Sequence, residues 1–185
     1  MISGIEAVTG RPVSRETAER LEHYVALLRD AAQSQNLVSR STLETLWDRH
    51  IADSAQLVPL GPAGGFWADL GSGAGLPGLV VAILTGDPMT LIEPRRLRAE
   101  FLRNAVAELG LNVSVLAAKA QSATGRFDVI TARAVAPAGE LLGMSAHLAH
   151  KGTRFLLMKG RSAKKELEDV RATWQGDFRL VASRT

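Results

Sequence analysis

Two hydrophobic rhythms divide the chain. Between residues 14 and 35 apolar positions recur every three or four residues, at Ala18, Leu21, Val25, Leu28 and Ala32. That spacing predicts one amphipathic helix, with Ser14 as its cap. A second helix is expected from Ser41-Thr42-Leu43-Glu44, an S-x-x-E capping box, through Leu46, Trp47 and Ile51 towards Leu57. The stretch PLGPAGG at 59–65 then breaks regular structure and makes the best boundary in the chain. Beyond it the rhythm changes to short apolar runs alternating with helical segments. Strands are predicted at 66–70, 89–93, 113–117, 127–132, 153–158 and 178–182, and helices at 78–84, 96–109, 138–148 and 163–172. Such alternation implies an α/β fold with a mostly parallel sheet covered by helices on both faces. The expected organisation is an N-terminal helical segment over 1–60 and a larger α/β domain over 61–185. Ligands of such sheets sit at the carboxyl ends of the strands, where strand order reverses.

Composition narrows the chemistry. Of 185 residues 46% are hydrophobic, enough for a buried core, and 22% are charged, as in ordinary soluble domains. The chain has no cysteine, which excludes disulfides, thiolate metal sites and a cysteine nucleophile, and fits a reducing compartment. The first residues lack the basic and apolar stretches of a signal peptide. The longest apolar run, 76–85, is about half of a membrane span, so no membrane partner and a cytoplasmic location are expected. Net charge is only +3, but cations cluster at Arg95, Arg96, Arg98 and Arg103, and at Lys159, Arg161, Lys164 and Lys165. Either group suits phosphate binding, and either suits a solvated helix face.

The first predicted strand ends in FWADLGSGAGLPG, an acid followed by four glycines within eight residues. Gly71, Gly73 and Gly75 permit backbone angles closed to other residues and let a ligand lie against main-chain N–H groups. Glu93 ends the second strand twenty residues past Gly73, the usual spacing for an acid that grips ribose hydroxyls. Asp69 stands directly before the loop, where it would repel a pyrophosphate but suit a sulfonium or ammonium. This favours S-adenosylmethionine over a nicotinamide cofactor. The alternatives are that Asp69 caps the turn and that Glu93 pairs with Arg95 or Arg96.

These residues resemble the RsmG (GidB) family, bacterial methyltransferases acting on guanine N7 of 16S ribosomal RNA. The likeness runs through DLGSGAGLPG at 69–78, NLVS at 36–39, RHIADS at 49–54, EPRR at 93–96, FDVITARA at 127–134 and KG at 159–160. It implies a Rossmann-like S-adenosylmethionine-dependent methyltransferase fold with a small N-terminal helical layer. It also implies that Gly71 and Leu76 contact the cofactor, that Glu93 holds its ribose, and that Ala120 and Gln121 receive the adenine. Arg133 falls on the family's arginine beside the reactive end of the cofactor. Gln121 replaces the family's usual glutamate, keeping a carbonyl acceptor without the charge. The family tends to end in a strand hairpin, whereas here the sixth predicted strand is the last element, which leaves that sheet edge short or exposed.

The chemistry agrees with what the chain lacks. Guanine N7 carries a lone pair and no proton, so its methylation needs alignment rather than a general base. The fourth strand ends in Thr131-Ala132-Arg133, without the Asn/Asp-Pro-Pro-aromatic stretch common in methyltransferases of exocyclic amines. Arg133 can hydrogen-bond guanine O6 or a phosphate, or shape the field around a sulfonium. His50, Asp53 and Ser54 share one face of an α-helix. They suit neither a metal site nor a hydrolase triad, and orient the N-terminal helices or bind RNA phosphate. Arg95, Arg96, Lys159, Arg161, Lys164 and Lys165 form a candidate basic rim for 16S ribosomal RNA or the small subunit, with salt-sensitive affinity. No metal is expected, and the strand complement suits a monomer. The other readings are a methyltransferase of tRNA or a small molecule, a nicotinamide enzyme, and a non-catalytic RNA-binding module.

Overall fold

The computed structural model describes residues 1–34, 37–38 and 43–185. The expected capping box at Ser41-Thr42, and Asn36 and Ser39 of the NLVS motif, lie outside the described residues. Five strands form one all-parallel sheet: β1 Trp67–Leu70, β2 Met89–Ile92, β3 Val113–Leu116, β4 Phe127–Arg133 and β5 Ala149–Met158. Their order is β3-β2-β1-β4-β5, so the chain reverses its direction of travel across the sheet between β1 and β4. The loops after those two strands therefore flank the switch point, where parallel sheets bind ligands.

The helices are α1 Ile2–Thr9, α2 Arg15–Ser34, α3 Ala52–Ala55, α4 Gly78–Thr85, α5 Arg96–Leu109, α6 Ala138–Ser145 and α7 Ala163–Thr173. Ser14 caps α2 as expected, its hydroxyl accepting the Thr17 N–H at 3.1 Å. α3 continues a π-helical stretch, Leu46–Ile51. None of the described helices is long and apolar enough to cross a membrane.

Alternation along the strands sends residues to two cores. Trp67, Met89, Leu91 and Val129 face a cluster shared with α1, α2, α4, α5 and the segment 46–58. Ala68, Leu70, Ile92, Ile130 and Ala132 face a second cluster with Leu141 of α6 and with Ala120 and Ala123. The N-terminal segment thus shares a continuous apolar core with one face of the sheet. Its docking is fixed by Leu21, Tyr24, Leu28, Leu46 and Ile51, each at most 1% exposed. Full burial of such a side chain is worth about 1.5–3 kcal/mol.

The sixth strand expected at 178–182 does not form, and among the described residues β5 pairs with β4 alone. The tail is captured by side chains of α3 and the residue after it. The Ser183 and Thr185 hydroxyls donate to Asp53 Oδ1 at 3.3 and 3.0 Å, and the Arg184 N–H donates to Gln56 Oε1 at 3.1 Å. Leu180 and Val181 stay at least half exposed, so no apolar face draws the segment onto the sheet.

Candidate active site

The glycine loop leaves β1 at the switch point and is held from three sides. From below, Asp69 is fully buried. Its Oδ1 accepts the Thr131 hydroxyl at 2.9 Å and its Oδ2 accepts the Gly78 N–H at 3.2 Å. Burial pushes its carboxyl up to about 6, against the hydrogen bonds from Thr131 and Gly78 that favour the charged form. Gly78 is obligatory at this approach, because a Cβ there would lie 2.5 Å from Leu91 Cδ2 and 2.8 Å from Asp69 Oδ2. The side chain expected to face a sulfonium is instead turned inward, where it pins the loop and the start of α4.

From the β2 side, Glu93 clasps the loop. Its Oε2 accepts the Gly73 N–H at 2.8 Å and its Oε1 accepts the Arg95 N–H at 2.9 Å. The twenty-residue spacing between Gly73 and Glu93 is therefore a direct contact. Each carboxylate oxygen keeps a second lone pair for a further donor, such as a ribose hydroxyl. Gly73 itself takes φ +58°, and a Cβ there would meet nothing nearer than 3.7 Å, where Arg98 Nη1 reaches over the loop. The backbone is part-exposed at this point. Leu76 is buried beside the loop, its bond to Pro77 is cis, and Gly75 takes φ +95° against Leu79.

From the N-terminal layer, the Tyr24 hydroxyl donates to the Ala74 carbonyl at 2.8 Å. Tyr24 is the only tyrosine of the chain and is fully buried, which raises its phenol well above its ordinary value. The apolar period of α2 places it among core positions. Only the rule that a buried phenol finds an acceptor could have flagged it.

Across the switch point, β4 ends at Arg133, in register with Met158 of β5. The next residue, Ala134, takes φ +54°, a left-handed conformation rare for a side chain bearing a Cβ. Val135 then lies over Gly71, close enough that a Cβ on that glycine would sit 2.7 Å from Val135 Cγ2. Arg133 Nη1 lies 2.8 Å from His50 Nδ1. Burial, then the guanidinium of Arg133, hold the His50 imidazole below its ordinary value, with Asp53 opposing them. The side chains of His50, Asp53 and Ser54 take different hydrogen-bond partners: Arg133, the Gln56 amide with the tail hydroxyls, and the His50 carbonyl. His50 lies in the π-helical stretch, which changes the angular spacing, and Ser54 Oγ donates back to the His50 carbonyl at 2.6 Å.

The expected basic rim divides. Arg95, Arg96, Arg161, Lys164 and Lys165 are exposed at the carboxyl edge of the sheet, with Arg96 paired to Glu100 at 3.3 Å. Lys159 is withdrawn from the rim. Its ammonium is 2.9 Å from Glu166 Oε2 and also donates to the Ala136 carbonyl, with its side chain 15% exposed. Glu166 in turn accepts the Ser162 hydroxyl at 2.6 Å and the Ala138 N–H at 2.8 Å, contacts that hold its carboxyl below the usual range. Lys159 thus ties down the loop after β4. Ala120 is buried and Gln121 exposed in a short 3-10 turn that follows β3, on the Glu93 side of the crevice. Among the described residues no three His, Asp or Glu side chains are grouped to hold a metal ion.

A glycine loop, an acid with spare acceptors and an arginine meet at the switch point of a parallel sheet. This is the arrangement of the Rossmann-like S-adenosylmethionine-dependent methyltransferases. Ribosomal protein L11 methylase from Lactobacillus delbrueckii subsp. bulgaricus shares the fold, with a TM-score of 0.55 and 18% identity over 72% of this chain and 75% of that one. The chain belongs to the family described as rRNA small subunit methyltransferase G (GidB), which matches residues 17–182. Relatives named ribosomal RNA small subunit methyltransferase G are 48% identical in Rhizorhabdus wittichii, over 96% of this chain and 84% of that protein, and 44% identical in Zymomonas mobilis, over 94% and 83%.

Proposed function

We propose that this enzyme methylates N7 of a guanine in 16S ribosomal RNA, using S-adenosylmethionine. The observation that carries the reading is the acid-clasped glycine loop facing Arg133 across the switch point, in a chain of this family. The residues fit a sulfonium nucleoside. Glu93 would hold the ribose through its unused lone pairs, the backbone from Gly71 to Leu76 would lie against the amino-acid end, and Ala120 and Gln121 would flank the adenine. Asp69 serves the cofactor indirectly, by fixing the loop and α4.

The cofactor would supply an electrophilic methyl group to the N7 lone pair in line, its sulfur leaving as a neutral thioether while the positive charge passes to the guanine. No residue has to remove a proton, so the work of the protein is alignment, worth on the order of 7–11 kcal/mol in favourable cases. Arg133 would donate to guanine O6, fixing the rotation of the base and leaving N7 free. Arg95 and Arg96 lie on one side of the crevice, and Arg161, Lys164 and Lys165 on the other. They belong to strands about 14 Å apart, three strand spacings, and would take the phosphates on either side of the target. We infer further that the small subunit or its assembly intermediate is the substrate particle, that the enzyme acts as a monomer, and that it works in the cytoplasm.

The test is methylation of 16S ribosomal RNA with a labelled methyl donor, followed by cleavage chemistry selective for N7-methylguanine. The expected result is one cleavage site that carries the label. Label on another atom, or none with both naked RNA and subunits, would refute the reading. Calorimetry separates the cofactor question: S-adenosylmethionine should bind at one site, Glu93→Ala should weaken it at least tenfold, and NADPH should not bind.

A further inference from the structure

The N-terminal layer reaches the reaction crevice through His50, whose role the proposed chemistry leaves open. Arg133 is a permanent donor, so the 2.8 Å contact between its Nη1 and His50 Nδ1 requires a lone pair on that nitrogen. The imidazole must then be neutral, with its proton on Nε2. Its seat is rigid. Leu46 and Ile51, on either side of it in the π-helical stretch, are buried, and the His50 carbonyl accepts the Ser54 hydroxyl. Arg133, by contrast, stands at the last residue of β4, immediately before the left-handed Ala134. A long side chain at a strand end has many rotamers, and a fixed acceptor selects among them.

We propose that His50 is a positioning residue: its neutral imidazole accepts a hydrogen bond from Arg133 and aims the guanidinium into the crevice, so that the N-terminal layer completes the catalytic site. This rests on the reading of Arg133 given above. The surroundings favour the neutral form. Arg133 faces the ring from β4 and Arg49 adds positive charge from the same stretch, while Asp53 opposes them. Beyond Arg133 lie Tyr24 of α2 and Asp69 of β1, both of which feel its charge. Acidification protonates Nδ1, turns the acceptor into a donor and releases Arg133.

The experiment measures kcat and the KM for 16S ribosomal RNA in His50→Ala, His50→Asn, His50→Gln, Arg133→Ala and the double variant His50→Ala/Arg133→Ala. Loss of an acceptor to a charged donor should lower kcat about tenfold in His50→Ala, with the RNA KM within about twofold of wild type. Asparagine places an amide oxygen near the Nδ1 position and should restore most of kcat, whereas glutamine places it too far out and should not. In the Arg133→Ala background, His50→Ala should have no further effect. The acidic limb of the wild-type kcat profile should vanish in His50→Asn. A rise in RNA KM with kcat preserved would instead make His50 a phosphate contact, and a loss of kcat that persists without Arg133 would make it a structural prop. Either result overturns the proposal. Full activity in Arg133→Ala would show that the underlying reading of Arg133 had failed, whereas an impaired Arg133→Ala beside a silent His50→Ala would sink this inference alone. Should His50→Ala not fold, the contrast between asparagine and glutamine decides the matter.

Discussion

Replacing Asp69 by asparagine should change the pH dependence of stability in a direction opposite to that of most acidic residues. The native carboxyl is raised from 3.8 to about 6 because it is fully buried. Each tenfold weakening of an acid corresponds to about 1.4 kcal/mol, so ionising the buried group costs the fold roughly 3 kcal/mol. Between pH 4 and 6 the unfolded chain has already lost this proton while the native state keeps it. Stability therefore falls as pH rises through that window and levels off above it. Asp128 and Glu166, whose carboxyls are held low, act in the opposite sense, losing their contribution as the pH drops. The difference between wild type and Asp69→Asn isolates the buried group. Asparagine can accept the Gly78 N–H through its amide oxygen and donate to the Thr131 oxygen, whose hydroxyl then turns to the Ala68 carbonyl 3.4 Å away, so the site holds both side chains at low pH. Urea unfolding at intervals from pH 4 to 7.5 should show the variant close to wild type at pH 4 and about 2–3 kcal/mol more stable than it by pH 7. A flat difference across that range would refute the assignment of a buried carboxyl that the fold makes harder to ionise.

Further expectations concern the loop and the rim. Tyr24→Phe strands the Ala74 carbonyl in a dry site and should cost about 1–2 kcal/mol, a melting shift of roughly 2–8 °C. It should also weaken S-adenosylmethionine measurably in calorimetry, and an unchanged affinity would mean that the loop does not depend on α2. Gly78→Ala drives a Cβ into Leu91 and Asp69 and should destabilise by about 1–3 kcal/mol in chemical unfolding. Lys164→Ala/Lys165→Ala should weaken RNA binding and flatten its dependence on salt in filter-binding titrations. Lys159→Ala should leave the salt slope unchanged and lower the melting temperature, since it breaks a mostly buried pair with Glu166.

The sheet was legible because its first four strands are short apolar runs set apart by glycine, proline and polar breaks, and each lies within a residue of its expected bounds. The start of β5 was not, because Lys151-Gly152 interrupts it where the pairing with β4 shifts register between Phe127 and Val129. α1 escaped notice for a different reason. Its sequence ISGIEAVT has weak helix propensity, and the burial of Ile5 and Val8 holds it in place. At the site, spacing alone linked Gly73 to Glu93. No local pattern, however, could show that Asp69 turns inward to Thr131, since that depends on the register of β1 against β4. The same holds for Tyr24 and His50, whose roles depend on partners 50 and 83 residues away. The charge of Lys159 was visible, but its burial against Glu166 was not.

The distance in sequence between His50 and Arg133 bears on how the enzyme comes into being. During synthesis His50 emerges well before Arg133, which follows 83 residues later. At about 5–20 residues per second the interval is roughly 4 to 17 s. Once Glu93 has been made, about halfway through that interval, the growing chain can carry α2, the glycine loop and Glu93, yet Arg133 does not stand across from them. A half-made chain could therefore hold the ingredients of a cofactor pocket while remaining chemically silent, and transfer becomes possible only once the fourth strand has slid in beside the first.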